Sequence, residues 1–488
     1  MITITFLILG ILTSLLFPPY FFYPLGFVVI PLLCYLIGHK LYKVKILKKL
    51  LYIFIYSIGF FGNLLLWIQN PFFVFEETSN IFFLSVILII LISLIFSSVF
   101  ILIIYYNKIL PIFYILPIIF ITFEIIISII FYGFPWITFS LIVADISFFN
   151  YFLKNFGTII TSYFVLQIFC LPYLFILNFS KIKKNIIFLI PSIVILIIVF
   201  IYNVTSNLGY DKKNISLEIF QINKPVYSVN NTKTDYYEKL LSLISNSNSE
   251  ILIFAENNYP FIIKEINFTE IQSLLKKEQS VVIGGTRFEN NNYYNSLFYI
   301  NDSEIDYFDK KILVPFGEFL PLRNFLSIFQ VISGPNDFKE GTKNRVIKIN
   351  KNFNFIPIIC YEIIFYWKLI NDLNYESDFI INITNDIWFG RLAGPYQHFY
   401  LTKLRAAEFN KPIIRVSNNG ISGILNSSGK LIKATKLNEV VSIKTELLIS
   451  NDKNFYFSHK LLNYLLLFIL IIIFVFNFRN INGKSKNI

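Results

Sequence analysis

The chain is poor in the residues that build metal centres and disulfide frameworks: three cysteines and three histidines among 488 residues. Cys34 and Cys170 lie inside apolar runs, where a free thiol acts as a small hydrophobe, and the cysteines show no pairing pattern. His39, His398 and His459 are scattered, and neither C-x-x-C nor H-E-x-x-H spacing occurs, so no metal site is expected. Charged residues make up only 15% of the chain, which leaves little polar surface for a soluble protein of this size. No internal repeat and no long linker interrupts the sequence.

Apolar residues fill that space. Hydrophobic residues reach 55%, aromatic residues 18%, and mean hydropathy is +0.63. A soluble fold cannot hide so much apolar surface, so a membrane protein is expected. A spanning helix needs about 20 apolar residues. Runs that meet this lie near 2–18, 22–39, 50–68, 81–106, 109–132, 156–178 and 185–204, with an eighth at 461–478. The first run has no basic leader and no small-residue cleavage site, so it reads as retained. The formal net charge of +12 matters less than where the lysines fall. Lys40, Lys43, Lys45, Lys48 and Lys49 follow the second run, Lys181, Lys183 and Lys184 follow the sixth, and Arg479, Lys484 and Lys486 close the chain. The loop after the third run carries Glu76 and Glu77 instead. By the positive-inside rule both termini are cytoplasmic, and the stretch after the seventh run lies outside. The expected domains are therefore 1–204, a transmembrane domain; 205–458, an extracytoplasmic domain; and 459–488, a last span and tail.

Residues 205–458 carry a different pattern. Short β-branched runs at 216–222, 250–256, 280–288, 295–300, 353–360, 378–384, 412–418 and 422–429 read as strands. Helical periodicity appears near 234–246, 268–278 and 397–410, the second preceded by Asn267 with Glu270 three residues on, as in a capping box. Strands alternating with helices point to a layered α/β domain with one large core.

Polar residues stand at the ends of several of these apolar strands. "EILIFAENNYP" ends a strand on Glu256, "YFDKKILVPFGEFLP" sets Lys310 and Lys311 before a rigid turn that presents Glu318, and "NFIPIICYEIIF" brings Cys360, Tyr361 and Glu362 together. Taken singly each has an ordinary explanation: a buried thiol, a strand-end carboxylate, a solvated lysine pair. A thiol becomes a nucleophile only with a base or a cation beside it. The stretch 382–423, with Asn385, Asp386, Gln397, His398, Arg405, Glu408 and Asn418-Asn419-Gly420, is dense in polar turns, and a lone His398 there reads as structural.

As a set these motifs resemble the carbon–nitrogen hydrolase (nitrilase) superfamily, whose members are αββα sandwiches with a Glu-Lys-Cys triad at strand ends. "LVPFGEFLP", "ICYEIIF", "TNDIWFG", "GPYQH", "RAAE" and "PIIRVSNNGISG", with "GFPW" at 133–136 and Glu124 in the fifth span, are similar to its membrane-bound branch, the apolipoprotein N-acyltransferase family. The resemblance implies a multi-span helical membrane domain of about eight helices joined to an extracytoplasmic αββα sandwich. It places the nucleophile on Cys360, the general base on Glu256 and the lysine on Lys310, with Glu318, Tyr361 and Glu362 in support. The chain departs from the family at Ala255, where proline is usual, and at Ile127, where arginine is common. The implied reaction is a two-step acyl transfer. A membrane phospholipid acylates Cys360, and the α-amino group of a diacylglyceryl-modified N-terminal cysteine of an apolipoprotein then takes the acyl chain. The resemblance implies no cofactor, no metal, no nucleic-acid partner, a monomer, and a bacterial inner membrane with the catalytic domain on the periplasmic side. A membrane-anchored amidase, in which water resolves the thioester, is the rival enzyme. A transporter or scaffold is disfavoured because Glu124 is nearly alone among ionisable residues in the spans. The apolar loops 258–263 and 319–332, with Phe319, Leu322, Phe325 and Phe329, suit dipping into the bilayer interface.

Overall fold

The computed structural model describes residues 2–41, 43–106, 111–176, 212–225, 230–324, 336–349, 353–372 and 377–450. Two compact units emerge, one holding residues 1–69 and 83–208, the other residues 70–82 and 209–453.

The first unit is helical. Its described helices are α1 (Ile2–Ser14), α2 (Gly26–Tyr35), α3 (Ile46–Leu64), α4 (Phe83–Tyr106), α5 (Ile112–Ile129) and α6 (Ser147–Cys170). Among the described residues, five helical segments are long and apolar enough to cross a membrane, at Tyr23–Lys40, Ile46–Leu64, Glu76–Tyr105, Ile112–Ile129 and Ser147–Phe175. The first expected span is shorter than its apolar run, because α1 stops at Ser14 and has 13 residues. The sixth starts earlier than expected and breaks at Gly157, whose φ of 74° only glycine adopts freely. The expected spans at 185–204 and 461–478, and the basic segments beside them, lie outside the described residues. α1 and α3 pack backbone to backbone: a Cβ on Gly10 would lie 2.0 Å from the Tyr56 carbonyl, and one on Gly59 2.5 Å from that of Leu7. Small residues give such close approach in helix pairs that gain little from hydrophobic burial. Glu124, buried in α5, accepts a hydrogen bond from the Phe139 amide at 3.1 Å, so its carboxylate holds the turn that follows "GFPW".

The second unit is built on two six-stranded sheets. Sheet one runs β12-β1-β2-β3-β4-β5 and sheet two β11-β10-β9-β8-β7-β6. The strands are β1 (Lys212–Gln221), β2 (Ile251–Phe254), β3 (Ser280–Glu289), β4 (Asn292–Ile300), β5 (Ile305–Asp309), β6 (Ile347–Ile349), β7 (Phe353–Ile359), β8 (Phe379–Thr384), β9 (Ile413–Ser417), β10 (Gly423–Leu425), β11 (Leu431–Ala434) and β12 (Val441–Ser450). The further helices among the described residues are α7 (Asn230–Asn246), α8 (Thr269–Leu274), α9 (Tyr366–Asp372) and α10 (Ala393–Phe409). Central strands such as β2 and β8 are buried along their whole length. They are covered on both faces, so they read as unbroken apolar runs and not as alternation. Leu240 and Ile244 of α7 and Ile271 of α8 close the outer face of sheet one over Leu252, Val281 and Phe298. The fold is the expected αββα sandwich.

One local expectation is corrected. α8 ends at Leu274, short of 278, and no capping box forms. Asn267 accepts the Thr269 amide at 3.1 Å, but Glu270 turns away to accept the Tyr237 hydroxyl at 3.0 Å.

The end of β2 lies so close to β3 that a side chain cannot stand between them. A Cβ on Gly284 would sit 2.6 Å from the Glu256 Cα, against backbone that cannot yield. Gly284→Ala should therefore destabilise the unit by about 1–3 kcal/mol, the usual cost of overpacking. A lowered thermal midpoint in detergent is the expected outcome; an unchanged one would show that the turn can shift freely.

Candidate active site

Three strands from two sheets deliver the site. β2 ends just before Glu256, β5 just before Lys310, and β7 just before Cys360. Lys310 Nζ lies 2.9 Å from Glu318 Oε1 and 3.9 Å from Glu256 Oε1. The structure thus gathers Glu256, Lys310, Glu318, Cys360, Tyr361 and Glu362 at one end of the sandwich.

Two carboxylates flank this ammonium and are satisfied unequally. Glu318 accepts from Lys310 Nζ at 2.9 Å, from Asn295 Nδ2 at 2.7 Å and from the Val314 amide at 2.8 Å. The "VPFGE" turn makes the last bond possible, with Phe316 at φ 63° and the Glu318 amide donating to the Val314 carbonyl at 2.8 Å. Glu256 receives Asn295 Nδ2 at 2.7 Å and has the ammonium only at 3.9 Å. Burial pushes the Glu256 carboxyl up from its ordinary value; the Lys310 charge opposes this, and the Glu318 charge adds to it. Burial works against the Lys310 charge, but Glu318 and Glu256 outweigh it and hold the ammonium protonated. The Cys360 thiol is pushed up by burial and then by the Glu256 charge, against the pull of Lys310. At neutral pH the thiol is therefore protonated and faces a carboxylate with a raised proton affinity. That pair can move a proton at the moment of attack.

Cys360 itself has φ 51°, a left-handed conformation costly for a residue with a Cβ. Glu362 holds the turn. Its Oε2 accepts the Ile359 amide at 2.8 Å, its Oε1 accepts the Lys311 and Ile312 amides at 2.9 and 3.1 Å, and Arg345 grips both oxygens at 2.9 Å. Burial opposes the Glu362 charge, but Arg345 and these donors hold its carboxyl below the usual range. Lys311 turns its ammonium away to Asp372, at 3.1 Å. Tyr361 is buried, its ring edge-on to Phe365 at 5.0 Å.

His398 lies fully buried beneath the site, with Nδ1 2.8 Å from Asp386 Oδ1. Arg415 donates to Asp386 Oδ2 at 2.6 Å, and Arg415 and His398 pull the Asp386 carboxyl below its ordinary value against the cost of burial. Burial and the Arg415 charge lower the His398 value, so the ring is neutral at pH 7. Among the apolar loop residues, Leu322 is exposed and Phe319 half-buried; Phe325 and Phe329 lie outside the described residues.

Two family models match in tandem: the apolipoprotein N-acyltransferase N-terminal domain over residues 9–171, and carbon-nitrogen hydrolase over residues 220–445. The first of these models is that family's own domain, and the chain is similar to the apolipoprotein N-acyltransferase family. Curated relatives of that name include those of Rhizobium leguminosarum bv. trifolii, 36% identical over 203 residues (39% of this chain, 38% of the relative), and Brucella suis biovar 1, 34% identical over 226 residues (42% of each). The relative from Rickettsia prowazekii is 36% identical over 179 residues, covering 35% of this chain and 36% of its own. The matched stretch thus spans about two fifths of these relatives' length, 38% and 42% for the first two. Among solved structures, a carbon–nitrogen hydrolase superfamily protein from Xanthomonas campestris has a TM-score of 0.38 and 16% identity, covering 49% of this chain and 91% of its own. A nitrilase-superfamily member from Saccharomyces cerevisiae has the same TM-score of 0.38 and 16% identity, covering 48% and 90%.

Four contributors were not singled out in the sequence. Asn295 was read only as the start of a strand, yet it bridges Glu256 and Glu318. Arg345 sits in an unremarkable polar stretch but is buried against Glu362. Asp386 and Arg415 were read as turn and strand residues, and they form the buried pair beneath the site. A charged residue inside an apolar strand, as in "PIIRVS", was the available signal.

Removing Arg345 would strand the Glu362 carboxylate. Arg345→Met should cost about 3–5 kcal/mol, as for other broken buried ion pairs. The sign of the pH dependence follows from the depressed Glu362 value. Its stabilisation is present above the unfolded carboxyl range and lost as pH falls through the folded one. Without Arg345 that contribution is absent, so the gap in stability between wild type and variant is widest at neutral pH and narrows as pH falls through the carboxyl range. Melting curves from pH 8 down to pH 4 check this; parallel curves for wild type and variant would refute it.

Proposed function

We propose that this protein is an acyltransferase that moves a fatty acyl chain from a membrane phospholipid, through a thioester on Cys360, to the α-amino group of a diacylglyceryl-cysteine at the start of an apolipoprotein. The observation that carries the proposal is the buried Glu256–Lys310–Cys360 cluster, in a chain whose first part matches the family's own N-terminal domain. Glu256 takes the thiol proton as the sulfur attacks the ester carbonyl. Lys310, with backbone N–H groups near Cys360, stabilises the oxyanion. The lysophospholipid alcohol leaves with a proton returned by Glu256. The acceptor amine then attacks the thioester carbonyl, Glu256 takes a proton from the amine, the C–S bond breaks, and Glu256 returns that proton to the Cys360 sulfur. Glu318 fixes Lys310, and Glu362 with Tyr361 shapes the Cys360 turn. No step requires a cofactor. Domains at 1–204, 205–458 and 459–488, with the second on the periplasmic side of a bacterial inner membrane, put the site beside lipid-anchored substrates. The protein acts as a monomer in this proposal.

The purified protein, given phospholipid and no acceptor, should carry a long-chain acyl adduct on Cys360 by mass spectrometry. Turnover without any lipid adduct would favour the amidase instead. Glu256→Gln should lower kcat/KM by roughly 10²–10⁴, the range for a positioned general base. Cys360→Ser should also abolish turnover while leaving the fold intact, and Lys310→Met should abolish it with a loss of stability as well. The raised Glu256 value fixes the pH dependence, because the base must be ionised. Activity should fall on acidification at a pH above the ordinary glutamate value of about 4.3, and a limb at or below that value would argue against Glu256.

A further inference from the structure

The base and the nucleophile stand on different sheets: Glu256 follows β2 of sheet one, and Cys360 follows β7 of sheet two. Something must fix one against the other where the strands end. The buried side chain of Asn418, just past β9 of sheet two, occupies that place. Its Oδ1 accepts the Lys224 amide at 2.8 Å and Asn258 Nδ2 at 3.1 Å. Its Nδ2 donates to the Lys224 carbonyl at 2.7 Å and to Asn385 Oδ1 at 3.4 Å. The Asn418 amide donates to the Thr384 carbonyl at 2.9 Å, and its carbonyl accepts the Asn223 amide at 2.8 Å.

One carboxamide thus joins residues just past β1, β2, β8 and β9. The link to β2 runs straight into the Glu256 turn. Asn258 Oδ1 accepts the Ala255 amide at 2.9 Å, so Asn258 spans Glu256 from the residue before it. Asn257, at φ 55°, has its carbonyl capped by Lys224 Nζ at 2.8 Å. The link to β8 ends beside Thr384, whose hydroxyl also reaches Asp386 at 3.0 Å.

We propose that Asn418 is a positioning residue that acts through Glu256: its carboxamide ties the Glu256 turn to sheet two and holds the base at proton-transfer distance from Cys360. The proposal rests on Glu256 being the base, as above. A small misplacement of such a base is costly, up to about 10²-fold for about 1 Å. Both hydrogen-bond senses of the carboxamide are used, so a hydrophobic or one-sense replacement cannot substitute.

The test is the rate of Cys360 alkylation by iodoacetamide in the full-length protein in detergent, read on the Cys360 peptide by mass spectrometry across pH. It needs neither phospholipid nor apolipoprotein. Glu256→Gln should slow alkylation and remove its acid limb. Asn418→Ala should slow it by about tenfold or more and flatten the same limb. The double variant should be no slower than Glu256→Gln alone, because non-additivity marks residues that act through one another. A wild-type rate and limb in Asn418→Ala, or effects that multiply in the double variant, would overturn the proposal while leaving Glu256 as the base. Wild-type alkylation in Glu256→Gln would overturn the Glu256 assignment itself and the proposal with it. Should Asn418→Ala not fold, Asn258→Ser cuts the same link from its other end, leaves a hydroxyl for the Ala255 amide, and carries the same expectations.

Discussion

One buried ammonium between two carboxylates sets the chemistry of this site. Lys310 cannot neutralise both partners equally, and the geometry makes the choice: 2.9 Å to Glu318 and 3.9 Å to Glu256. Glu318 also takes Asn295 and the Val314 amide, so its charge is fully solvated by the protein. Glu256 has one amide donor, the Cys360 thiol and a more distant cation. A buried carboxylate so placed gains by binding a proton. Cys360 interacts with this carboxylate, and burial holds its proton on the sulfur. In the proposed reaction the acid–base roles follow from this inequality: Glu318 stays a structural anion, and Glu256 exchanges the proton.

Such a cluster can exist only where backbone geometry is imposed on it. The left-handed Cys360 and the tight "VPFGE" turn are both unfavourable in isolation. Each is held by a carboxylate that collects backbone amides, Glu362 for the first and Glu318 for the second. The same carboxylates therefore orient the catalytic groups and offset the strain in the loops that carry them. Glu362 stands two residues beyond Cys360 and Glu318 eight beyond Lys310, each in reach of the turn it holds.

Much of this was legible in the sequence, for a physical reason. Central strands buried on both faces must be apolar throughout, so β2, β7, β8 and β9 stood out, and any polar residue at their ends was conspicuous. Glu256 and Cys360 drew notice that way, and the family resemblance then assigned their roles. The edge strands were not: β11 is exposed along its length, and β12 mixes Lys444 and Glu446 with apolar residues, so neither shows a buried pattern. β5 and β6 were missed because they are short and their polar residues mask the alternation. Asn295 and Arg345 were illegible because their importance lies in partners 39 and 17 residues away, which no local pattern reports. The capping box at Asn267 failed for a similar reason, since Tyr237 of a different helix drew Glu270 away.

The division of the site between two sheets explains where the polar bridges lie. A sandwich is held by apolar contact, which is non-directional and tolerates small slips of one sheet over the other. Proton transfer between Glu256 and Cys360 does not tolerate them. Each sheet-one residue has its own directional tie to sheet two. Lys310 is fixed through the Lys311 and Ile312 amides, which donate to Glu362 beside Cys360. Glu256 is fixed through Asn258, which donates to Asn418. The hydrophobic interior brings the sheets together, and these two polar ties, at the strand ends where apolar packing runs out, set the register that the chemistry requires.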